Sequence, residues 1–445
     1  MLGEETIQQL SRRAQEPSWL ADWRTAALAE HGRLPWPGPS DEVWRRTDIR
    51  LLDPMQGYGL AEPALLQSAR LNDRQLKQLI GSTDGEPPLV RVDGAWIHEQ
   101  APPGVIVRPL AQAAQEHPEL LRPIVEADGF TPSERKLLGL NSAFHQDGLV
   151  LEFPARSQPS ALHLVRLLSA GPKQALFPLT IVLVRAGQQV TLIDEYIGLP
   201  APAAGGTPPP GSMMGGGAPH VINSRIELVV EPKASVRYVR LQRWDVSAHE
   251  FLLQRATLQE GAEATLVNLN FGARVSKAHV ITKLLGAGAS SKIYGFVFGH
   301  GRQHIDQHTL QDHQAPHTTS DLLYKAALQH QSRMVYTGLI RIAKTAKQTD
   351  AYQANNNLLL SREAKAETIP MLEILADDVR CKHGATIGPV DEEQLFYLAA
   401  RGIPRDLAER LLVMGFVDPI IQQVPGEALQ QRLRDELETG LRAAA

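Results

Sequence analysis

Ile226-Glu227-Leu228-Val229-Val230-Glu231-Pro232-Lys233-Ala234-Ser235-Val236-Arg237-Tyr238-Val239 sets two short apolar, β-branched runs on either side of a small-residue turn. Short runs bounded in this way read as strands. The turn Pro232-Lys233-Ala234-Ser235 has relatives at Gly261-Ala262-Glu263-Ala264, Gly286-Ala287-Gly288-Ala289 and Glu363-Ala364-Lys365-Ala366. Their spacings are 29, 25 and 77 residues, the last close to three times the second. Self-similarity at such a period marks a solenoid. Strands this short cannot bury a face alone, so successive coils must stack to make the core. A β-sandwich also shows short strands and turns, but the recurring turn favours a β-helix. Asn355-Asn356-Asn357 suits that fold, because stacked amides can bond along the stack.

Outward from this stretch, residues 161–387 carry similar runs, among them Thr180-Ile181-Val182-Leu183-Val184, Thr265-Leu266-Val267-Asn268-Leu269 and Lys292-Ile293-Tyr294-Gly295-Phe296-Val297. A Gly/Pro-rich insertion from Leu199 to Ala218 cannot pack a core and reads as a mobile loop between strands. Residues 1–80 read as a helical region containing Trp19, Trp23, Trp36 and Trp44. Pro35-Trp36-Pro37-Gly38-Pro39 breaks its first helical stretch, and Ser40-Asp41-Glu42 offers the N-cap of a further helix. Residues 81–160 are mixed, with Leu149-Val150-Leu151-Glu152-Phe153 a strand. Residues 388–445 form a C-terminal helical domain. Asp391-Glu392-Glu393 starts one helix, Gly402-Ile403-Pro404 ends it, and Gly415-Phe416-Val417-Asp418-Pro419 is expected to turn the chain into the last one. Leu395, Leu398, Leu411 and Met414 are the apolar positions of this domain that suit either a cap or a docking surface.

Composition limits the function. The 445 residues carry a net charge of −4, with 43% hydrophobic residues. No global field draws nucleic acid or an anionic membrane. No run approaches the 18 or so apolar residues of a membrane span, and no signal peptide is visible at the N-terminus. The single cysteine excludes an intrachain disulfide and fits a reducing compartment, so a cytoplasmic location is expected.

That cysteine lies in Val379-Arg380-Cys381-Lys382-His383-Gly384-Ala385-Thr386. On an extended strand Cys381 and His383 project from one face. A soft sulfur and an imidazole can both bind metal, but two donors do not close a site, so further ligands must come from elsewhere, including another chain. A lone cysteine is also commonly a small buried hydrophobe. His300, His304, His308, His313, His317 and His330 cluster in sequence; on a strand His304 and His308 lie roughly 13 Å apart and read as structural, hydrogen-bonded residues. There is no Gly-x-x-x-x-Gly-Lys-Ser/Thr loop, Gly-x-Ser-x-Gly elbow, Cys-x-x-Cys pair or Gly-x-Gly-x-x-Gly fingerprint. Asp377 and Asp378 would suit a β-helix carbohydrate-active enzyme only if both acids faced one groove, and adjacent strand residues face opposite ways.

Longer runs carry a resemblance. They are His313-Gln314-Ala315-Pro316-His317-Thr318-Thr319-Ser320-Asp321-Leu322-Leu323-Tyr324-Lys325, then Lys347-Gln348-Thr349-Asp350-Ala351-Tyr352-Gln353-Ala354-Asn355-Asn356-Asn357, the Cys381–Thr386 segment, and Phe396-Tyr397-Leu398-Ala399-Ala400-Arg401-Gly402-Ile403. In these the chain resembles the SufB/SufD family of iron–sulfur cluster assembly scaffolds. Glu16-Pro17-Ser18-Trp19-Leu20, Asp41-Glu42-Val43-Trp44-Arg45-Arg46-Thr47-Asp48 and the single cysteine are closer to its SufD branch. The resemblance implies a right-handed parallel β-helix flanked by helical segments. It implies a non-catalytic scaffold subunit of a SufBCD-type complex, partnered by a SufB-like paralogue and a SufC-like ABC ATPase, with a homodimer possible in isolation. SufC would dock on the C-terminal helices. No cofactor is expected to stay bound to the chain alone, and a nascent iron–sulfur cluster would form near the interface with SufB. Cys381 and His383 fall on the family's Cys-x-His segment, His383 being the better candidate for a cluster-facing group. The alternatives are the carbohydrate-active enzyme and a purely structural partner with no cluster-facing residue.

Overall fold

The computed structural model describes residues 2–49, 55, 57–61, 79–81, 87–92, 94–127, 131–156, 158–169, 171, 173–199 and 219–442. Leu199 closes a strand, and the rest of the Gly/Pro insertion, 200–218, lies outside the described residues. The core is a parallel β-helix. One sheet runs through Asp147–Phe153, Pro178–Val184, His220–Val230, Ala248–Leu258, Val275–Leu284, His304–His313, Arg333–Ile342 and Lys365–Ile374. The other runs through Ser160–Ser169, Gln189–Leu199, Ser235–Arg243, Glu263–Asn270, Ser290–Gly299, Thr319–Leu328, Asp350–Leu359 and Arg380–Pro389. The chain alternates between the sheets, so each strand pairs with the strand one coil away: Val275 faces His304, which faces Arg333. The turns at 232–235, 261–264 and 286–289 lie where the chain crosses from the first sheet to the second, whereas 363–366 lies at the return crossing from Asp350–Leu359 to Lys365–Ile374.

Alternation along the strands divides side chains between a shared interior and two outer faces. Val280, Leu284, Ile293, Val297, Leu322 and Met334 stack inside. The outer faces are covered by the two ends of the chain. Leu20, Leu110 and Leu121, from the N-terminal helices, pack on Val150, Leu179, Ile181 and Leu183 of the first sheet. Val413, Val417 and Ile420 of helix Arg405–Ile421, with Leu433 and Leu437 of helix Glu427–Arg442, pack on Val239, Leu241, Val267 and Phe296 of the second. The C-terminal helices therefore lie along a flank and leave the end of the stack open.

Two local expectations are corrected. No helix follows Ser40-Asp41-Glu42; residues 42–46 form turns. The carbonyl of Val43, which a helix would use internally, accepts a hydrogen bond from Lys277 Nζ at 2.8 Å. Trp44 is buried against Phe251, with ring centroids 5.9 Å apart, and Lys277 Nζ lies 4.8 Å from its ring centre. Thr47 bonds Asp306 and His304, while Arg46 reaches Glu367 on the last coil. The segment is a strap across the first sheet. Likewise the chain does not turn at Gly415–Pro419. Helix Arg405–Ile421 continues through Pro419, its inner face held by the burial of Val413, Val417, Ile420 and Ile421. The break comes later, at Gly426 with φ of 88°. The asparagine run does bond along the stack, but mostly to backbone: Asn355 Nδ2 donates to Tyr324 O and Asn357 Nδ2 to Thr386 O.

One buried carboxylate ties the last helix to the solenoid. Arg432 Nη2 lies 2.8 Å from both oxygens of Glu195, Arg243 Nη1 donates to it at 3.1 Å, and His163 lies 3.3 Å away. Burial alone would raise this carboxyl, but the His163 hydrogen bond and the charges of Arg432 and Arg243 outweigh it and hold the group at about 2. A depressed carboxyl pKa contributes stability above its unfolded value and loses it as pH falls toward the folded one. Glu195→Gln should therefore lower the thermal midpoint at neutral pH, and the gap from the unaltered chain should close between pH 4.5 and about 2. An unchanged gap across that window would show that Glu195 acts by shape alone. Trp44→Ala should cost about 3–5 kcal/mol in urea unfolding, with the strap becoming protease-sensitive.

Candidate functional site

The open end of the stack is where the chain's chemistry collects. Among the described residues Lys365–Ile374 pairs only with Arg333–Ile342, and Arg380–Pro389 only with Asp350–Leu359, so each sheet ends there in a strand with one unpaired edge. An unpaired edge is a row of free N–H and C=O groups that templates further pairing. The interior side chains of this coil have no coil above them. Leu372, Ile374 and Ile387 are 38%, 41% and 44% exposed, and Leu375 is 60% exposed beside them.

Cys381 and His383 lie on the final strand, opposite Ala351 and Gln353. The segment is extended, so both occupy the inward-facing positions, with Cα atoms about 7 Å apart. Cys381 is half-buried against Ile340, Ile342, Ala351 and Ala376. Burial, and then the Asp350 carboxylate, push its thiol up to about 11. His383 is exposed. Among the described residues no group of three or more His, Cys, Asp and Glu side chains is placed to hold a metal ion. The pair is thus a thiol and an imidazole side by side at the open end of the stack.

Three of the clustered histidines are tied into the fold, while His317 and His330 are exposed. His304 Nε2 bonds Thr47, His308 Nε2 lies 3.0 Å from Lys277 Nζ and its ring stacks on His279, and His313 sits between Thr318 and Ser320. Burial lowers all three to about 4, so they are neutral at physiological pH. Asp377 and Asp378 lie in the bend between the last two strands, where Asp378 O accepts the Gln348 N–H.

The C-terminal positions divide. Leu395 is buried with Val390 and Ala408, and Leu398 packs against the same cluster beside Leu358 and Leu360. Met414 packs against the second sheet's outer face. Leu411 is exposed, together with Leu407, Tyr397 and Phe396, the last 76% exposed. Sequence reasoning took the periodic stripe of helix Glu392–Ala399 and overlooked the adjacent aromatics. Their signal was available: Phe396 and Tyr397 fall between Leu395 and Leu398, off the stripe that a single buried face uses.

Comparison with known proteins agrees with this architecture. The SufBD core domain of SUF-system Fe–S cluster assembly matches residues 167–416, more than half of the chain. The chain belongs to the SufBD family. The iron–sulfur cluster assembly protein SufD of Bacillus subtilis is 26% identical over 447 residues, covering 98% of this chain and 97% of that protein. A SufBD family protein of Synechocystis is 27% identical over 428 residues, covering 94% and 90%. One from Staphylococcus epidermidis is 24% identical over 437 residues, covering 96% and 90%. The SufBD core match takes in the coils from Leu167 onward, the Cys381–His383 strand and most of helix Arg405–Ile421. No described helix is long and apolar enough to cross a membrane.

The thiol of Cys381 is directly testable. Its reaction with iodoacetamide in the isolated chain should keep rising with pH well beyond 9, because the reactive species is the thiolate. Asp350→Asn should move that profile to lower pH. A plateau near an ordinary thiol value would show that the free Cys381 is open to water.

Proposed function

We propose that this SufBD family chain is a non-catalytic, SufD-like scaffold subunit of an iron–sulfur cluster assembly complex. It pairs through its open end with a SufB-like paralogue and presents His383 and Cys381 where the nascent cluster forms. The single observation that carries this reading is the open last coil: two free strand edges, half-exposed interior side chains and two donors of metal-binding type on the same strand. A second β-helix set edge to edge there would continue both sheets, cover Leu372, Ile374 and Ile387, and bring its own donors beside Cys381 and His383. In isolation the same edges favour a homodimer. The iron and sulfide are cargo passing through the assembly, and no cofactor resides in the lone chain.

Nucleotide chemistry belongs to a separate SufC-like ATPase in this reading. The exposed Phe396, Tyr397, Leu407 and Leu411 are the docking surface, while Leu395, Leu398 and Met414 hold the supporting helices to the solenoid. Aromatic residues exposed together are the usual anchors of an interface. Phe396→Asp or Leu411→Asp should abolish co-purification of the ATPase while leaving the thermal midpoint unchanged. The buried Leu395→Ala should instead lower the midpoint, at a cost of about 2–5 kcal/mol in unfolding free energy. Retained ATPase binding in both surface variants would remove this assignment.

For the site, the decisive measurement is iron and sulfide per mole of intact, anaerobically assembled complex. His383→Ala should lower that yield at unchanged subunit stoichiometry, since alanine removes both metal binding and proton transfer. Cys381→Ser should have the smaller effect. Wild-type yield from intact His383→Ala complexes would leave the chain a purely structural partner.

A further inference from the structure

Gln353 lies one strand in from the edge, directly opposite His383 in the parallel register. It is 1% exposed, and both residues take inward-facing positions. Its amide orientation is decided by its surroundings. Nε2 lies 3.3 Å from two backbone carbonyls, Gly338 O on its own coil and Met371 O on the last coil. Only the NH2 end can donate to both, so the oxygen is the end left over. That oxygen is buried and has no hydrogen-bond partner. The space it occupies depends on a glycine: a Cβ on Gly338 would sit 2.4 Å from it. A buried acceptor without a donor calls for an explanation.

His383 has the complementary need. Exposed in the free chain, its ring nitrogens bond water; once a partner covers the last coil, a ring N–H there must find an acceptor or be stranded. Adjacent strands are about 4.8 Å apart, within reach of a glutamine and an imidazole leaning toward each other. A metal-binding imidazole characteristically donates its second ring N–H to a protein acceptor, which fixes its tautomer and aims the other lone pair. We infer that Gln353 is a positioning residue for His383: its Oε1 accepts one ring N–H once the open end is covered, leaving the other ring nitrogen free for iron. This rests on the reading of His383 as a cluster-facing group. It adds the residue that orients the ring, and it assigns to Gly338 the role of keeping room for the acceptor.

The test uses the full chain assembled with its SufB-like and SufC-like partners, with histidine labelled by nitrogen-15 and the His383 ring signals identified by their loss in His383→Asn. In the unaltered complex His383 should populate one tautomer, with its N–H exchanging slowly with water; in the isolated chain it should exchange fast. Gln353→Met keeps the volume and removes the acceptor. It should give a tautomer mixture and lower cluster yield per mole of intact complex about tenfold. An unchanged tautomer and yield in Gln353→Met would overturn the inference, as would a fall in thermal midpoint with yield per intact complex unchanged. If Gln353→Met does not fold, the unaltered complex decides: a tautomer mixture or fast exchange there sinks the proposal. His383→Ala separates the two levels. A loss in His383→Ala without one in Gln353→Met removes Gln353 only, whereas no loss in His383→Ala removes the role of His383 itself.

Discussion

Everything in this molecule follows from parallel, in-register stacking of coils on one another. Each coil is covered only by its neighbours, so the interior is supplied by repetition and not by any single strand. Ile293 and Met334 are core because the coils on either side carry apolar groups at matching positions, Leu266 and Leu322 for the one and Ile305 and Ala366 for the other. Such a stack has two outer faces and two ends, each of which needs its own solution. Here the faces are closed from within the chain, one by the N-terminal helices and the Trp44 strap, the other by the helices after Pro404. The end at Lys365–Ile374 and Arg380–Pro389 is not closed.

The division of labour between apolar and charged contacts is consistent with this. Flank helices bury broad apolar stripes, and single charged anchors fix where they sit: Glu195 beneath Arg432 and Arg243, and Lys277 with Asp306 beneath the strap. Removing one partner of such a buried pair strands the other charge, which makes each anchor costly to break though the intact pair contributes little net stability. The Arg46–Glu367 and Arg333–Glu367 contacts carry the strap to the last coil, so the N-terminal region braces the strand edge on which the proposed interface is built.

The β-helix was legible because its signal is periodic: turns recurring at related spacings do not depend on any one residue. The strap was not, since Asp41 does cap locally, by accepting the Val43 N–H, yet the Val43 carbonyl is drawn to Lys277, 234 residues away. Long-range contacts of that kind override local capping. The continuation of helix Arg405–Ile421 through Pro419 was missed for a related reason, the burial of Val417, Ile420 and Ile421 outweighing one lost backbone bond. At the site, the shared face of Cys381 and His383 followed from strand geometry alone. The orphaned oxygen of Gln353 did not, because it exists only through the Asp350–Leu359 and Arg380–Pro389 register and the carbonyls of Gly338 and Met371.

An open end with two donors has a chemical consequence in the proposed role. A thiol held near 11 is almost wholly protonated at neutral pH, so Cys381 is a poor ligand in the free chain. Covering the last coil removes water from it and raises the thiol further, unless a cation arrives at the same time. Metal binding displaces the proton, so its affinity is linked to pH and to the groups that stay behind. Iron and partner then favour one another: the partner supplies missing ligands, and the metal offsets the cost of burying a thiolate. A neutral imidazole offers a lone pair without that cost, so in the proposed role the two donors differ in what they need from the partner.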